Sequence, residues 1–265
     1  MGRDASPELA ARLAELYDLG GEGGTGDLDF YRAMARRCGD PILELACGTG
    51  RVAIPLSQDG HRVTGLDASS AQLERARRRA ADAVVAVDLV LGDMRDFALS
   101  EPFRLIIIPA NSFLILAPED RFAALARIRE HLSSDGTFIL DVFQPDPAVI
   151  AGAQGAVVQE WSRLDPATGN TVVKSSSSTA DVDGVLFSII YDDIDAHGVA
   201  KRYVRSARLH YLYRRELELL MSAAGFTIDA LYGSWELGPL TPSSPKLIAL
   251  ARRRERGDAA ERRRR

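Results

Sequence analysis

Residues 42 to 51 read Ile-Leu-Glu-Leu-Ala-Cys-Gly-Thr-Gly-Arg, and this stretch has the composition of a ligand-binding turn. The apolar residues that open it suit a buried strand, and an amphipathic segment follows the turn. A strand, a glycine turn and a helix in this order present backbone N–H groups to a ligand. Gly48 and Gly50 can adopt positive φ and let a ligand approach the main chain without meeting a Cβ atom. The stretch therefore predicts a binding site.

Glu44 is unusual in this stretch because it places a carboxylate inside an otherwise apolar strand. A buried charge without a partner is costly. The sequence therefore predicts that Glu44 has a partner, either in the protein or in a ligand.

Polar residues also follow the next predicted strands, where an open α/β sheet binds its ligands. Asp67 ends the second strand, where a carboxylate can accept hydrogen bonds from both hydroxyls of a ribose. Asp93 follows the third strand and can accept from an exocyclic amine, while the side chain of Met94 can flank a purine ring. Asn111 follows the fourth strand. Each residue alone is more typical of a turn or a helix cap, but the ordered set favours a nucleoside site.

The elements that would position these residues form an alternating pattern of strands and helices. Predicted strands cover residues 41–46, 62–66, 88–91, 103–108 and 137–142, and helical segments lie between them. A helix over 213–224 and strands over 227–232 and 247–251 follow, the last of them antiparallel. The predicted fold class is α/β, a doubly wound, seven-stranded, mostly parallel sheet.

Between the fifth strand and the last helix the hydrophobic period changes to two. From about residue 157 to 211, three turn signals separate four alternating segments, which predicts an inserted antiparallel four-stranded sheet. The predicted organisation is an N-terminal helical segment (1–40), a cofactor-binding core (41–150), the β insertion (151–211), the end of the core (212–252) and an arginine-rich tail expected to be disordered (253–265).

Composition excludes several classes of partner. Hydrophobic residues make up 46% of the 265 residues and charged residues 26%, which are globular values. The net charge is −4, but residues 252–265 hold eight arginines against three acids, so the remainder is acidic and argues against a nucleic-acid partner. Neither the two cysteines nor the histidines are spaced as metal ligands. No membrane span or signal is recognisable, so we expect a cytoplasmic protein, monomeric or homodimeric.

Three segments resemble the successive motifs of class I S-adenosylmethionine-dependent methyltransferases. They are Glu-Leu-Ala-Cys-Gly-Thr-Gly-Arg (44–51), Gly-Leu-Asp-Ala-Ser (65–69) and Gly-Asp-Met-Arg-Asp-Phe (92–97). The resemblance covers residues 41–142 and extends to the closing helix and strand pair. The β insertion resembles the lid sheet of amino-sugar and glycine-type N-methyltransferases. The implied cofactor is S-adenosylmethionine, with S-adenosylhomocysteine as product.

The resemblance also implies cofactor-binding residues. Gly48 and Gly50 would pass under the methionyl part of the cofactor. Asp67 would hold the ribose, and Asp93 would hold the adenine amine. Glu44 would orient the turn or, through water, the ammonium group of the cofactor. The full implied set is Tyr17, Tyr31, Glu44, Ala46, Cys47, Gly48, Gly50, Arg51, Asp67, Ala68, Leu73, Gly92, Asp93, Met94 and Asn111.

The sulfonium of that cofactor supplies a reactive methyl group, so the protein must hold a nucleophile in line with it and exclude water. An amine nucleophile must be neutral, and a hydroxyl needs a base. Candidate catalytic residues are Asn111, Tyr31, Tyr191 and His210. The sequence Asn111-Ser112-Phe113 departs from the Asp/Asn-Pro-Pro-aromatic motif of nucleic-acid amino-methylating relatives, which favours a small-molecule acceptor.

Three other functions are compatible with parts of the sequence. The run from Gly48 to Ala53 satisfies G-x-G-x-x-A, which is also typical of an NAD-dependent oxidoreductase, although Glu44 would not help to bind a pyrophosphate. A catalytically silent cofactor-binding protein would share the fold. RNA binding through the arginine tail would require that tail, and we expect its deletion to leave function intact.

Overall fold

The structure is a computed structural model, and it describes residues 6–20 and 26–254. The expectations for the glycine-rich segment 21–25 and for the tail beyond residue 254 concern residues outside those ranges. Within them, no helix combines the length and the apolar character needed to cross a membrane. The described residues form two compact units: a smaller one from residues 6–20 and 145–211, and a larger one from residues 26–144 and 212–254.

The elements alternate along the chain much as the sequence predicts. The helices are α1 (Pro7–Leu19), α2 (Asp27–Cys38), α3 (Ala53–Gln58), α4 (Ser70–Asp82), α5 (Arg121–His131), α6 (Pro147–Gly152) and α7 (Arg214–Ala223). The strands are β1 (Ile42–Leu45), β2 (Val63–Asp67), β3 (Asp88–Leu91), β4 (Phe103–Ile108), β5 (Leu132–Phe143), β6 (Gln154–Leu164), β7 (Thr171–Ala180), β8 (Gly184–Ile194), β9 (Ala200–His210), β10 (Phe226–Tyr232) and β11 (Lys246–Arg253).

The larger unit is built on a seven-stranded sheet in the order β10-β11-β5-β4-β1-β2-β3. Strands β1 to β5 are parallel to their neighbours among themselves, and β11 is antiparallel to both β5 and β10. The direction of winding reverses at β1, which has β2 on one side and β4 on the other. The predicted doubly wound sheet with an antiparallel last strand is confirmed.

The core of this unit explains why β4 reads as a continuous apolar run. Leu105 and Ile107 are fully buried and belong to one cluster with Ile42 of β1 and with Phe30 and Met34 of α2. A strand covered on both faces needs apolar side chains on both, as parallel sheets usually do. Packing against β1 and β4 thus places α2 on the face of the sheet beside the predicted site.

Strand β5 begins earlier than the sequence indicated. Asp135-Gly136 reads as a turn before a strand at Thr137, but the strand starts at Leu132. Its pairing with β4 shifts from Leu132 opposite Phe103 to Thr137 opposite Leu105, so the extra residues form an irregularity inside the strand. Glycine is required at position 136, because a Cβ atom there would lie 2.9 Å from the carbonyl oxygen of Phe103.

The smaller unit contains an antiparallel four-stranded sheet in the order β6-β7-β8-β9, which confirms the predicted insertion. Helix α1 packs on this sheet, with Leu16 in a cluster with Val172, Tyr191 and Tyr203. Helices α1 and α2 therefore belong to different units, whereas the sequence placed both in one N-terminal segment. At the other end of the chain, β11 continues through Arg253, so the sheet includes the first residue of the predicted tail.

An ion-pair network fixes α1 to this sheet. One nitrogen of the Arg12 guanidinium lies 2.8 Å from a carboxylate oxygen of Asp165 and 2.7 Å from one of Asp193. Each aspartate side chain is only 8% exposed. The cation therefore compensates two nearly buried carboxylates at once.

We predict that Arg12→Met lowers the free energy of unfolding by about 3 kcal/mol, because it leaves both carboxylates buried without their cation. Urea denaturation measures the change. The matched control is Arg202→Met, which removes an exposed pair with Asp192 and should cost less than about 1 kcal/mol. Equal losses in the two variants would show that the buried network stabilises the protein no more than an exposed ion pair does.

Candidate active site

The carboxyl ends of β1, β2, β3 and β4 meet at one edge of the larger unit, since these strands are parallel neighbours. This edge carries the glycine turn after β1, Asp67 at the end of β2, Asp93 after β3 and Asn111 after β4. Backbone with positive φ also concentrates here, at Ala46 after β1 and at Ala110 and Asn111 after β4. Such conformations cost free energy in residues other than glycine and gather at functional sites.

The glycine turn is held in shape by contacts that reach both of its ends. Gly50 has φ of 81°, and a Cβ atom there would lie 2.8 Å from the side chain of Ile54. One carboxylate oxygen of Asp67 accepts from the backbone N–H of Gly48 at 2.8 Å, and the other accepts from Ser69 at 2.8 Å. Asp67 thus fixes the turn while keeping spare lone pairs for a ligand.

Glu44 is 3% exposed and lies beneath the turn. Its carboxyl accepts from the backbone N–H of Ala53, and Arg51 is the nearby cation that favours ionisation. The Oε2 atom has no hydrogen-bond partner among the described residues. Burial outweighs these effects and raises the pKa of Glu44 to about 8. An orphaned polar atom of this kind at a strand end has capacity for one more donor.

The predicted cofactor residues divide by exposure into two groups. Leu73 and Tyr31 are fully buried, and Cys47 is 3% exposed, so these side chains support the edge from beneath. The residues with accessible surface at the strand ends are Ala46, Gly48, Asp67, Ala68, Gly92, Asp93, Met94 and Asn111. Tyr17 and Arg51 of the predicted set are accessible as well, whereas Glu44 and Gly50 are buried.

Asp93 belongs to a surface ion-pair network. Arg95 donates to both of its carboxylate oxygens and also lies 2.7 Å from Asp120. The hydrogen bonds from Arg95 hold the pKa of the Asp93 carboxyl below its usual value. Asp93 is therefore ionised near neutral pH and can act as an acceptor for an amine.

Asn111 is fixed by the end of β5. Its backbone N–H donates to the carbonyl of Asp141 at 3.1 Å, and its side-chain Oδ1 accepts from the backbone N–H of Phe143 at 2.6 Å. Because Oδ1 is the acceptor, the orientation of the amide is set, and its NH2 group is the one left to donate. At this position the chain therefore offers a fixed hydrogen-bond donor.

Sequence reasoning missed a second layer of charged residues behind the edge. Asp27 is fully buried, and both of its carboxylate oxygens lie 2.7 Å from the guanidinium of Arg51. Asp141 is also fully buried and accepts from Tyr31 and Trp235. Asp141, like Glu44, is a carboxylate inside an apolar strand. That pattern is the sequence signal by which Asp141 could have been found.

Three predicted site residues belong to the smaller unit. Tyr191 is 3% exposed, and burial raises the pKa of its hydroxyl well above the usual value, with Tyr17 among the neighbouring groups. Tyr17 is 41% exposed on α1, and His210 ends β9. The structure places His210 opposite Gly184 of β8. Among the described residues, no three His, Cys, Asp or Glu side chains are grouped as a metal ion would require.

Comparison with known proteins identifies relatives that match most of the chain. Residues 42–136 match the family described as methyltransferase domain. The dTDP-3-amino-3,6-dideoxy-alpha-D-glucopyranose N,N-dimethyltransferase of Streptomyces fradiae is 29% identical over 85% of this chain and 88% of that enzyme. The cypemycin N-terminal methyltransferase of a Streptomyces species is 26% identical over 81% and 84%, respectively. The S-adenosylmethionine-bound structure of CalS10, an amino pentose methyltransferase from Micromonospora echinaspora, covers 90% of this chain and 94% of its own at 22% identity and a TM-score of 0.69.

The fold and the matched domain identify a Rossmann-like methyltransferase. These matches confirm the predicted S-adenosylmethionine-dependent methyltransferase, with S-adenosylmethionine as its cofactor. None of these matches supports an NAD-dependent oxidoreductase. The assignment of individual site residues stays a prediction.

We predict that Glu44 makes the folded protein less stable as the pH rises. Its folded pKa of about 8 lies above the ordinary value of 4.5, so the folded state keeps a proton that the unfolded state has lost. The free energy of unfolding therefore falls by about 1.4 kcal/mol for each pH unit between about pH 4.5 and 8. It levels off above that range. Glu44→Gln should remove this slope, as measured by urea denaturation across pH 5 to 9.

The control for this experiment is Glu74→Gln, on the exposed surface of α4, which should leave the slope of the wild-type protein unchanged. A Glu44→Gln variant with the wild-type slope would mean that Glu44 is already ionised when the protein is folded.

Proposed function

We propose that this methyltransferase transfers a methyl group from S-adenosylmethionine to an amino group of a small-molecule acceptor of the amino-sugar class. The observation that supports it most is the ordered set at one sheet edge: glycine turn, Asp67, Asp93 with Met94, and Asn111. The cofactor supplies an activated methyl group when it is bound. The protein binds and orients both partners.

The residues of the edge fit the nucleoside end of that cofactor. Asp67 ends β2 with spare lone pairs, which suits two ribose hydroxyls. Asp93 is ionised and partly exposed, which suits the adenine amine, and Met94 beside it is partly exposed and apolar. Ala68 is exposed beside Asp67 and can pack on the base without crowding it.

The carboxyl group of Glu44 suits the amino-acid end of S-adenosylmethionine. The unpartnered Oε2 of Glu44 can accept from an ammonium group, directly or through a water molecule. A cation near this carboxyl favours its ionised form, so cofactor binding and the proton on Glu44 oppose each other. The pyrophosphate of a dinucleotide would gain nothing from a carboxyl at this position.

An amine acceptor is favoured over a hydroxyl by the groups at the same edge. A hydroxyl nucleophile needs a base, but the hydroxyl of Tyr31 has a strongly raised pKa because it is fully buried, and it donates to Asp141. His61 lies 2.8 Å from Asp40, and His131 accepts from Leu99, so both histidines of the described larger unit are engaged elsewhere. A neutral amine needs no such base, and the amide of Asn111 can orient a neighbouring oxygen of the acceptor.

The name of one relative specifies the reacting atom. The Streptomyces fradiae enzyme is named as an N,N-dimethyltransferase of a 3-amino sugar, and the second relative as a cypemycin N-terminal methyltransferase. The first name specifies nitrogen. An amino sugar is the acceptor class we favour, because the sugar enzyme matches the larger share of this chain.

We predict that Asp67→Ala lowers the affinity for S-adenosylhomocysteine by roughly 10- to 100-fold, since hydrogen bonds to a charged group contribute about 1.5–3 kcal/mol. Isothermal titration calorimetry measures the affinity, and thermal denaturation checks the fold. Asp59→Ala is the matched control, because Asp59 caps the far end of α3 and pairs with Arg32. A folded Asp67→Ala protein with wild-type affinity would remove Asp67 from the site.

We predict that the enzyme adds one or two methyl groups to an amino-deoxysugar nucleotide but not to the same compound with a hydroxyl at that carbon. Without a base the hydroxyl compound should react slower by roughly 100-fold or more. Mass spectrometry after incubation with S-adenosylmethionine measures both rates. A peptide with a free N-terminus and a simple phenol complete the panel. Preferred methylation of the phenol would contradict transfer to nitrogen, and cofactor binding without any transfer would indicate a catalytically silent protein.

A further inference from the structure

A buried cluster at the carboxyl end of β5 is not explained by cofactor binding. We call it the Asp141 cluster, and it consists of Asp141, Tyr31, Trp235 and Lys246. The Oδ2 atom of Asp141 accepts from the Tyr31 hydroxyl at 3.3 Å and from the Trp235 indole N–H at 3.0 Å. The Lys246 Nζ lies 3.1 Å from Oδ1 and 4.7 Å from the centre of the Trp235 ring. A single buried carboxylate thus joins α2, β5, the β10–β11 connection and β11.

The cluster is directly connected to Asn111. The carbonyl of Asp141 accepts from the backbone N–H of Asn111, and Phe143, two residues further along β5, donates to the Asn111 side chain. Any shift of β5 at Asp141 therefore moves the amide that faces the proposed acceptor.

Helix α2 connects the cluster to the glycine turn. Asp27, at the first position of the helix, holds Arg51 of the turn through two contacts of 2.7 Å. Tyr31 follows four residues later, and residues at this spacing share one face of a helix. Trp235 also reaches the start of α2, since a Cβ atom on Gly26 would lie 3.8 Å from its ring. One face of α2 is thus fixed to the turn at one point and to the Asp141 cluster a helical turn later.

We propose that Asp141 is a positioning residue, which acts through Tyr31 and Trp235 to hold α2 at a fixed place between the glycine turn and Asn111. This arrangement keeps a fixed distance between the methyl donor, which binds at the turn, and the acceptor, which Asn111 orients. The part of this proposal that concerns the acceptor rests on the proposed function. The link between Asp141 and the glycine turn does not depend on it. Stability alone does not require these charges, because apolar side chains of similar size usually replace a buried ion pair without loss.

The first experiment compares two paired variants at saturating S-adenosylmethionine. Asp141→Leu with Lys246→Met removes the ion pair and leaves Tyr31 and Trp235 without their acceptor. We expect its affinity for S-adenosylhomocysteine to stay within about threefold of wild type, while kcat falls by roughly tenfold or more through misplacement of the reacting groups. Asp141→Asn with Lys246→Met restores an acceptor oxygen and should recover kcat to within about threefold.

The proposal is overturned if the leucine–methionine protein keeps wild-type kcat, or if its kcat and cofactor affinity fall by the same factor. It is equally overturned if the asparagine–methionine protein shows no recovery. If the leucine–methionine protein does not fold, kcat and the affinity for S-adenosylhomocysteine are compared in Trp235→Phe instead. This variant removes one donor to Asp141 and retains an aromatic ring. Its matched control is Trp161→Phe, an aromatic substitution at a partly buried residue that packs against the core of the smaller unit.

The second experiment needs no acceptor, so its failure is distinct from failure of the proposed function. In a Trp161→Phe background, Trp235 provides the only indole N–H signal, because the chain has two tryptophans. We expect S-adenosylhomocysteine to shift this signal in a nitrogen–proton NMR spectrum, through Arg51, Asp27 and α2. An unshifted signal on saturation with S-adenosylhomocysteine would refute the link, whether or not any acceptor is methylated.

Discussion

Burial of carboxylates at one sheet edge is the constraint on which the rest of the larger unit depends. Asp27 and Asp141 are fully buried, and Glu44 is 3% exposed. Each would be strongly destabilising without compensation. Arg51 compensates Asp27, whereas Lys246, Tyr31 and Trp235 compensate Asp141. These compensating contacts come from elements far apart in sequence, and satisfying them leaves α2 little freedom of position.

Glu44 meets the same constraint in a different way. Its raised pKa means that it remains protonated in the folded protein near neutral pH instead of pairing fully with a cation. A neutral carboxyl with an unpartnered oxygen is stable enough to fold yet remains responsive to an incoming charge. The difference between Glu44 and Asp27 thus separates a group suited to a ligand from one that secures the scaffold.

The sequence was sufficient where the information is local. The glycine turn, Asp67 and Asp93 each lie within a few residues of a strand end, and the alternation of strands and helices orders those ends along one edge. The two-residue period from β6 to β9 likewise predicted the smaller sheet. Sequence patterns failed where a contact is long-range or a local signal is ambiguous. Tyr31 lies 110 positions from Asp141, and the glycine at 136 reads as a turn although it sits in a strand irregularity.

The same division explains why the donor half of the reaction is easier to recognise than the acceptor half. The donor half rests on short motifs whose backbone geometry restricts residue choice, as at Gly50, where a side chain would collide with Ile54. The residues proposed for the acceptor half are held by long-range contacts: Asn111 is oriented by Phe143 across a separation of 32 positions, and Asp141 is joined to Trp235 across 94. Such contacts can be exchanged without disturbing the glycine turn. A chain of this architecture can therefore keep one methyl donor while its relatives carry names as different as an amino-sugar N,N-dimethyltransferase and a cypemycin N-terminal methyltransferase.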